Sequence, residues 1–433
     1  MQRPVKPAKP AALTVVHAAD LHLDSPFRGI GSAMESSPRW RQVMRAATFD
    51  AFDALIQLCI SEKADLLLLA GDVYDAADRS LKAQLKLRDG LARLEKEAGT
   101  STFVVHGNHD PVAERAAPIA WPASVSFFGA ENVETVRAEK DGAPPVTVTG
   151  ISYGKREETR NLARQFRAPD DKAFHIALLH CNAGGDTGHA PYAPCTLRDL
   201  QGAGFDVWAL GHVHSRQVLC EKPLILYPGA LQGRNRHEDG PRGCAVITVD
   251  ESGAVQHTFR ALDAVRWRTI DVDISRLETL EAVLDATLSE IRRHLQQDEP
   301  RPHVIDILLT GSGTLGSTCQ RKDNLADLRD LLRETLAADA EPSAWIRDIR
   351  AACDHPIDLQ AQRRREDLVG QVLQAAQTYR DSQGAMKELD AVLAPLYRHA
   401  RARRALNTVT SDEWSQLLSD AERLCIDLLD GKD

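Results

Sequence analysis

Five short stretches of the chain end in Asp, Asn or His, the residue types that hold divalent metals without sulfur. Val15-Val16-His17-Ala18-Ala19 leads into Asp20-Leu21-His22, and Asp65-Leu66-Leu67-Leu68-Leu69-Ala70 into Gly71-Asp72-Val73-Tyr74-Asp75. Thr102-Phe103-Val104-Val105-His106 leads into Gly107-Asn108-His109-Asp110. His175-Ile176-Ala177-Leu178-Leu179 leads into His180-Cys181-Asn182, and Val207-Trp208-Ala209-Leu210 into Gly211-His212-Val213-His214. Each apolar run is short enough for a buried strand, and polar groups just past the C-terminal end of such a strand sit where open α/β sheets carry ligands. Asp20, His22, Asp72, Asn108, His180, His212 and His214 therefore form one candidate donor set. A single structural ion needs about four donors. Seven, with one carboxylate bridging, suit two ions about 3.5–4 Å apart. Oxygen and imidazole donors without thiolate favour manganese, iron or zinc. Such a pair activates a water and neutralises phosphoryl oxygens, so the reaction class is hydrolysis of a phosphate ester.

A histidine outside the donor set would serve as acid to the leaving alkoxide, with a carboxylate orienting its ring. His109, beside Asn108, and Asp75, three residues after Asp72, are placed for those roles. The bland alternatives are a supporting position for His109 and a capping or surface role for Asp75. His17 and His106 lie inside the strand runs and read as packed histidines. Arg234, Arg236 and His237 occupy a Gly-rich loop and are candidates to reach substrate phosphates.

The elements that must position these residues alternate strand and helix as far as about Val249. Pro38 opens a helix to about Ile60, a second helix spans about Arg79 to Ala98 and stops at Gly99, and a third is expected near Glu157–Phe166. Thr196 is placed to cap a short helix between the strands that end at His180 and His212. Gln217–Cys220, Leu224–Tyr227, Cys244–Val249 and Val255–Arg260 read as closing strands. From Trp267 the order is strand (269–274), helix (277–295), strand (304–309), helix (324–336) and strand (344–350). After Pro356 three helices are expected, at about 360–379, 385–405 and 411–429. This gives a leader at 1–12, a main domain at 13–262, a small α/β domain at 263–356 and a helical region at 357–433. The leader reads as disordered.

The 433 residues exceed one ordinary core, and 43% hydrophobic with 27% charged residues is a globular composition. No apolar run approaches a membrane span, and eight scattered cysteines without a C-x-x-C pair suggest reduced thiols in the cytoplasm. A net charge of −9 does not advertise nucleic-acid binding, although bound divalent ions add local positive charge that this count omits. Arg398, Arg401, Arg403 and Arg404 form a basic run, and Leu389, Val392, Leu393, Leu396 and Tyr397 a stripe near helical spacing.

The ordered motifs Asp-x-His, Gly-Asp-x-x-Asp, Gly-Asn-His-Asp, a lone His and Gly-His-x-His resemble those of the calcineurin-like metallophosphoesterases. The resemblance implies a four-layer αββα sandwich. It assigns Asp20, His22, Asp72 and His214 to one ion and Asp72, Asn108, His180 and His212 to the other, with His109 as the acid. His17 to Phe27 and Tyr227 to Arg234 are further similar to bacterial DNA repair exonucleases of the YhaO and SbcD type. That implies a DNA substrate, Mn²⁺ as the metal (with Fe, Zn or Mg as alternatives), a capping domain after the core, and a helical region docked on an SMC-like ATPase. A homodimer is left open. The rival readings are a phosphatase or phosphodiesterase acting on nucleotides or other phosphoesters, and an inactive scaffold.

Overall fold

The computed structural model describes residues 13–27, 29–30, 34, 37–75, 80–113, 118–138, 145–185, 191–297, 300–337, 344–354, 359–381, 391, 394–395 and 411–430. The leader, the basic run at 398–404, the whole apolar stripe and most of the helix expected at 385–405 lie outside them. The chain forms two compact units, residues 1–311 with 318–353 and residues 312–317 with 354–433.

Two six-stranded sheets make the body of the first unit. In the first sheet β1 (Leu13–Ala18), β2 (Leu66–Ala70), β3 (Ser101–Val105) and β4 (Val125–Phe127) run parallel. In the second, β6 (Val146–Gly150), β7 (Phe174–His180), β8 (Val207–Gly211) and β10 (Leu224–Tyr227) run parallel, with β5 (Glu134–Ala138) and β9 (Gln217–Glu221) antiparallel at the edges. β11 (Gly243–Val249) returns beside β1, and β12 (Val255–Ala261) closes that edge, both antiparallel.

β2 shows why these runs are strands. All five of its residues are buried, and period two sends Leu67 and Leu69 to one face and Leu66, Leu68 and Ala70 to the other. The first face packs under α1 (Pro38–Ser61) and α2 (Leu81–Ala98) through Phe52, Leu55, Leu87 and Leu91. The second meets Val148, Ile176, Leu178 and Ala209 of the opposite sheet. Each buried leucine contributes about 1.5–3 kcal/mol. The outer face of the second sheet carries its own cluster around Trp208, Phe166 and Tyr153, under a short turn at Leu162–Gln165 and α3 (Leu197–Gln201). The layers are therefore helix, sheet, sheet and helix, a four-layer αββα sandwich.

Two expected helices are shorter than their sequence suggests. The span 157–166 holds only the single turn at 162–165. There the buried Glu158 carboxylate accepts the Arg160 backbone N–H (2.8 Å) and guanidinium, and Asn161 accepts the Arg164 N–H (3.3 Å). Such local side-chain bonds compete with the helical ladder. The helix expected at 360–379 breaks into Leu359–Arg363 and Leu368–Asp381, because Asp367 restarts the chain by accepting the Gly370 N–H at 3.1 Å. The short helix at 197–201 does carry its Thr196 cap, reciprocated by Asp199.

In the first unit β13 (Arg266–Asp273), β14 (His303–Ser312) and β15 (Ala344–Asp354) form a third sheet, β13 and β14 being parallel. Its attachment to the body is polar as well as apolar. The buried Gln232 amide donates to Val265 O (2.6 Å) and accepts the Ala264 N–H (2.8 Å), and Trp267 Nε1 donates to Gly233 O (3.0 Å). Asp263, 2% exposed, accepts from the Arg266 guanidinium (2.8 Å) and from Arg301 (2.9 Å). In the second unit the buried Glu422 accepts from Arg363 and Arg380 across the helices at 359–363, 368–381 and 411–430. No described helix is long and apolar enough to cross a membrane.

Removing Asp263 takes both carboxylate oxygens from the buried Arg266 guanidinium. Asp263→Ala should lower unfolding stability by about 3–5 kcal/mol, the usual result of breaking a buried pair from one side. Urea unfolding followed by tryptophan fluorescence measures it, and a loss below about 1 kcal/mol would contradict the assigned role.

Candidate metal centre

The C-terminal ends of β1, β2, β3, β7 and β8 meet at one rim, and each delivers its polar residues there. The turns are tight enough to force unusual backbone. Asp20 (φ 52°), His22 (φ 44°), Asp72 (φ 51°) and His212 (φ 102°) all lie at positive φ, which for non-glycine residues is held only where the surroundings over-determine it. Backbone bonds from Asp20 N to Gly71 O and from His22 N to Asp72 O lock the first two turns together.

Asp72 sits at the centre, 1% exposed. Its Oδ2 lies 3.9 Å from His22 Nε2 and 3.5 Å from His180 Nε2, while Oδ1 accepts the His109 N–H at 2.9 Å. Asp20 and Asp72 each present an oxygen within 4.8 Å of a ring nitrogen of His180, and Asp20 does the same with His22 and His214. Two donor clusters thus meet along one wall, with the Asp72 carboxylate between His22 and His180. Asn108 Oδ1 is 3.1 Å from His180 Nε2, and the His212 ring is 5.2 Å from the His180 ring, centroid to centroid. The His212 backbone N–H donates to Asp20 at 3.1 Å.

Three imidazoles are oriented alike. His180 donates Nδ1–H to Ala70 O (2.8 Å), His22 to Asp75 Oδ1 (3.1 Å) and His214 to Glu238 Oε1 (2.9 Å). That fixes the tautomer and leaves each Nε2 lone pair facing the carboxylates, the arrangement of metal-bound histidines. His22 Nε2 is buried with no hydrogen-bond partner. Glycine makes the space: a Cβ on Gly107 would collide with Asp72 Oδ1 and lie 2.8 Å from His180 Nε2, and one on Gly71 would lie 2.5 Å from His180 Nδ1.

The electrostatics ask for cations. Burial pushes the Asp72 carboxyl up to about 7 against the pull of His109, and burial likewise raises Asp20 against the pull of His214 and His180. Burial and the Arg234 charge keep His22 neutral, and burial does the same for His180. Two carboxylates this deep are stable as ions only beside a positive charge, and neutral imidazoles are ligands rather than counter-ions. The residues fit a pair of divalent cations.

Asp75 is neither a cap nor a surface residue. It is 7% exposed and also accepts from His109 Nδ1 and, at 2.9 Å, from Arg234. Burial would raise its pKa, but the hydrogen bonds from His109 and His22 and the Arg234 charge hold it far below the ordinary carboxylate range. Burial alone would lower the His109 pKa, yet the hydrogen bond to Asp75 and the Asp72 charge raise it above the ordinary imidazole value. Arg234 also donates its backbone N–H to Glu238 at 2.7 Å. Arg236 is exposed, with Nε 3.4 Å from His237. His17 is fully buried, its pKa pushed down to about 3 by burial, and His106 stacks on Phe127.

Two residues escaped the sequence reading. Glu238 orients His214. Asp110, fully buried, accepts the backbone N–H of Gly107 (2.8 Å) and of Val73 (3.0 Å), so it clamps two ligand loops together. Asp110 follows His109 directly in the Gly-Asn-His-Asp motif, which was the available signal; Glu238 had none beyond its place in the Arg234 loop.

A shared carboxylate among inward-facing imidazoles, on the strand ends of an αββα sandwich, belongs to hydrolases of phosphoester bonds with a two-metal centre. The chain is a member of the calcineurin-like phosphoesterase family, whose pattern residues 13–216 match. Residues 267–354 match the middle domain of the metallophosphoesterase YhaO. Over 337 residues the chain is 36% identical to a Bacillus subtilis (strain 168) protein described as an uncharacterized metallophosphoesterase YhaO, covering 77% of this chain and 80% of that one. Among solved structures it is similar to a dimetal phosphatase from Danio rerio (TM-score 0.34, 11% identity, 57% of this chain and 98% of that one). A protein from Thermus thermophilus gives TM-score 0.32 and 10% identity over the same shares, 57% and 98%.

Saturating Mn²⁺ should raise the thermal midpoint of the chelated protein by several degrees, since a hundred-fold excess over Kd adds about 2.7 kcal/mol. Asp72→Asn should remove most of that shift in differential scanning fluorimetry. Glu238→Gln should weaken one of two binding steps about 10–100-fold by calorimetry, the usual effect of losing an outer partner of a ligand histidine.

Proposed function

We infer that the protein hydrolyses phosphodiester bonds of DNA, removing nucleotides from single-stranded or duplex ends with two Mn²⁺ ions. The observation that carries the reading is the alignment of His22, His180 and His214, with Nδ1–H tied outward and Nε2 turned to Asp20 and Asp72. Cations bound there supply an activated water and draw charge from the phosphoryl oxygens. The chain's own residues handle the leaving group. His109 holds Nδ1–H on Asp75 and has Nε2–H left to protonate the sugar oxygen as its bond to phosphorus breaks. DNA as the substrate is supported by the likeness of His17–Phe27 and Tyr227–Arg234 to the repair exonucleases. An SMC-like ATPase partner for the helical unit is supported by its exposed Leu368, Leu417 and Leu429. A cytoplasmic setting is supported by eight cysteines scattered without a C-x-x-C pair.

With end-labelled single-stranded and duplex DNA and added Mn²⁺, the parent should release nucleotides and Asp72→Ala should not. His109→Ala should keep the Mn²⁺-dependent thermal shift but lose about 10²–10⁴ in kcat. A parent inactive on DNA yet active on cyclic nucleotides or phosphomonoesters would transfer the site to those substrates.

A further inference from the structure

Beside the metal centre, between the segment that follows His22 and α1, lies a cavity of about 700 Å³. Its inner wall begins at Asp24 and Ser25, and Ser25 N–H donates to His22 O at 3.1 Å. Ser25 is three positions after His22, a reach of at most about 11 Å between Cα atoms. Ser25 is 5% exposed and contributes to the inner wall.

The rest of the lining is divided by chemistry. Phe27, Met34 and Met44 form an apolar floor, each at most 9% exposed and packed into the cluster that includes Val265 and Trp267. Arg41, Arg45 and Lys82 form a cationic rim, and an adjoining hollow of about 400 Å³ shares all three. Lys82 Nζ stands 4.4 Å over the Phe49 ring. Asp24 on the same wall accepts from Ser80 Oγ at 2.6 Å, so the described lining sets three cations against one carboxylate. The volume lies in the range of small-molecule sites. An apolar floor under a positive rim suits a ligand with a flat apolar face and an anionic chain. Such a ligand is a nucleotide, with its base on the floor and its phosphate at the rim.

We propose that this cavity is a nucleotide-binding subsite, which takes a base of the strand being cut and holds the adjoining phosphate on Arg41, Arg45 and Lys82. The proposal rests on the reading of the metal centre as a DNA phosphodiesterase and gives that substrate a path away from the metals. It also accounts for how a chain of net charge −9 engages a polyanion, through a local concentration of cations rather than a basic surface.

The test compares the parent with Arg45→Glu/Lys82→Glu and with Arg88→Glu/Arg293→Glu, an equal charge reversal outside the cavity. Binding of a fluorescent phosphorothioate oligodeoxynucleotide is read by anisotropy across a salt series, and turnover of bis-p-nitrophenyl phosphate is read separately. The cavity variant should bind at least tenfold more weakly, with a salt slope shallower by about 2, and should keep turnover of the small diester. Equal losses in both variants, unchanged binding in the cavity variant, or no binding by the parent would overturn the subsite. Intact diester turnover alongside any of those results leaves the hydrolase reading standing. Lost binding in the cavity variant of a protein without Mn²⁺-dependent diester turnover sinks that reading and keeps the subsite. Competition by deoxyadenosine monophosphate separates a site for free nucleotides (displacement near the oligonucleotide's own Kd) from one that needs the strand.

Discussion

Keeping two carboxylates, Asp20 and Asp72, buried within reach of the same imidazole is the constraint on which the rest of the structure turns. The penalty for an unpaired buried ion is several kcal/mol even after relaxation. Backbone donors answer part of it: His212 N–H on Asp20 and His109 N–H on Asp72. The imidazoles answer only part of it, through the pull of His214 and His180 on Asp20, because their Nδ1–H groups point away. The balance must come from cations, and the structure is arranged to receive them. Four positive-φ residues at the rim cost of order 1–3 kcal/mol each, a sum comparable with the net stability of a domain. Local sequence would not hold such turns.

What holds them is the pairing of two sheets. Asp20, Asp72 and Asn108 come from the ends of the first sheet, and His180, His212 and His214 from the second. The hydrogen bond from His180 to Ala70 O crosses between them. The inter-sheet core of Leu68, Val105, Ile176 and Ala209 therefore sets metal spacing as well as stability. A register slip in either sheet would move every ligand to the wrong face. The third sheet is tied into the same logic. Gln232, Gly233 and Trp267 fasten it to the loop that carries Arg234 and Glu238, so the orientation of His214 depends on how that attachment packs.

The strands and their polar ends were legible in the sequence because a short apolar run and a ligand just after it are both local signals. α1 and α2 were legible from Pro38, Gly99 and their periodicity. The span 157–166 was misread because Glu158 and Asn161 bond their own backbone, a preference that periodicity does not register. Glu238 was missed because an acidic residue in a loop looks the same whether it faces water or a histidine. Arg234 was read as a cation for phosphates; only the fold shows the carboxylate beside it. The cavity next to α1 was invisible for a related reason: Arg41 and Arg45 lie on one helix and Lys82 on another, and the overall charge averages them away.

Arg234 has a role that its charge alone does not suggest. Its guanidinium reaches Asp75 Oδ2 while His22 and His109 share Oδ1, so one carboxylate orients two imidazoles together. Two imidazoles on one oxygen would compete for its charge if the carboxylate were weakly ionised. The hydrogen bonds from His109 and His22, with the guanidinium charge added to them, hold Asp75 anionic, and the Arg234 backbone N–H meanwhile fixes Glu238 against His214. A residue bound to both orienting carboxylates positions the donors of the site.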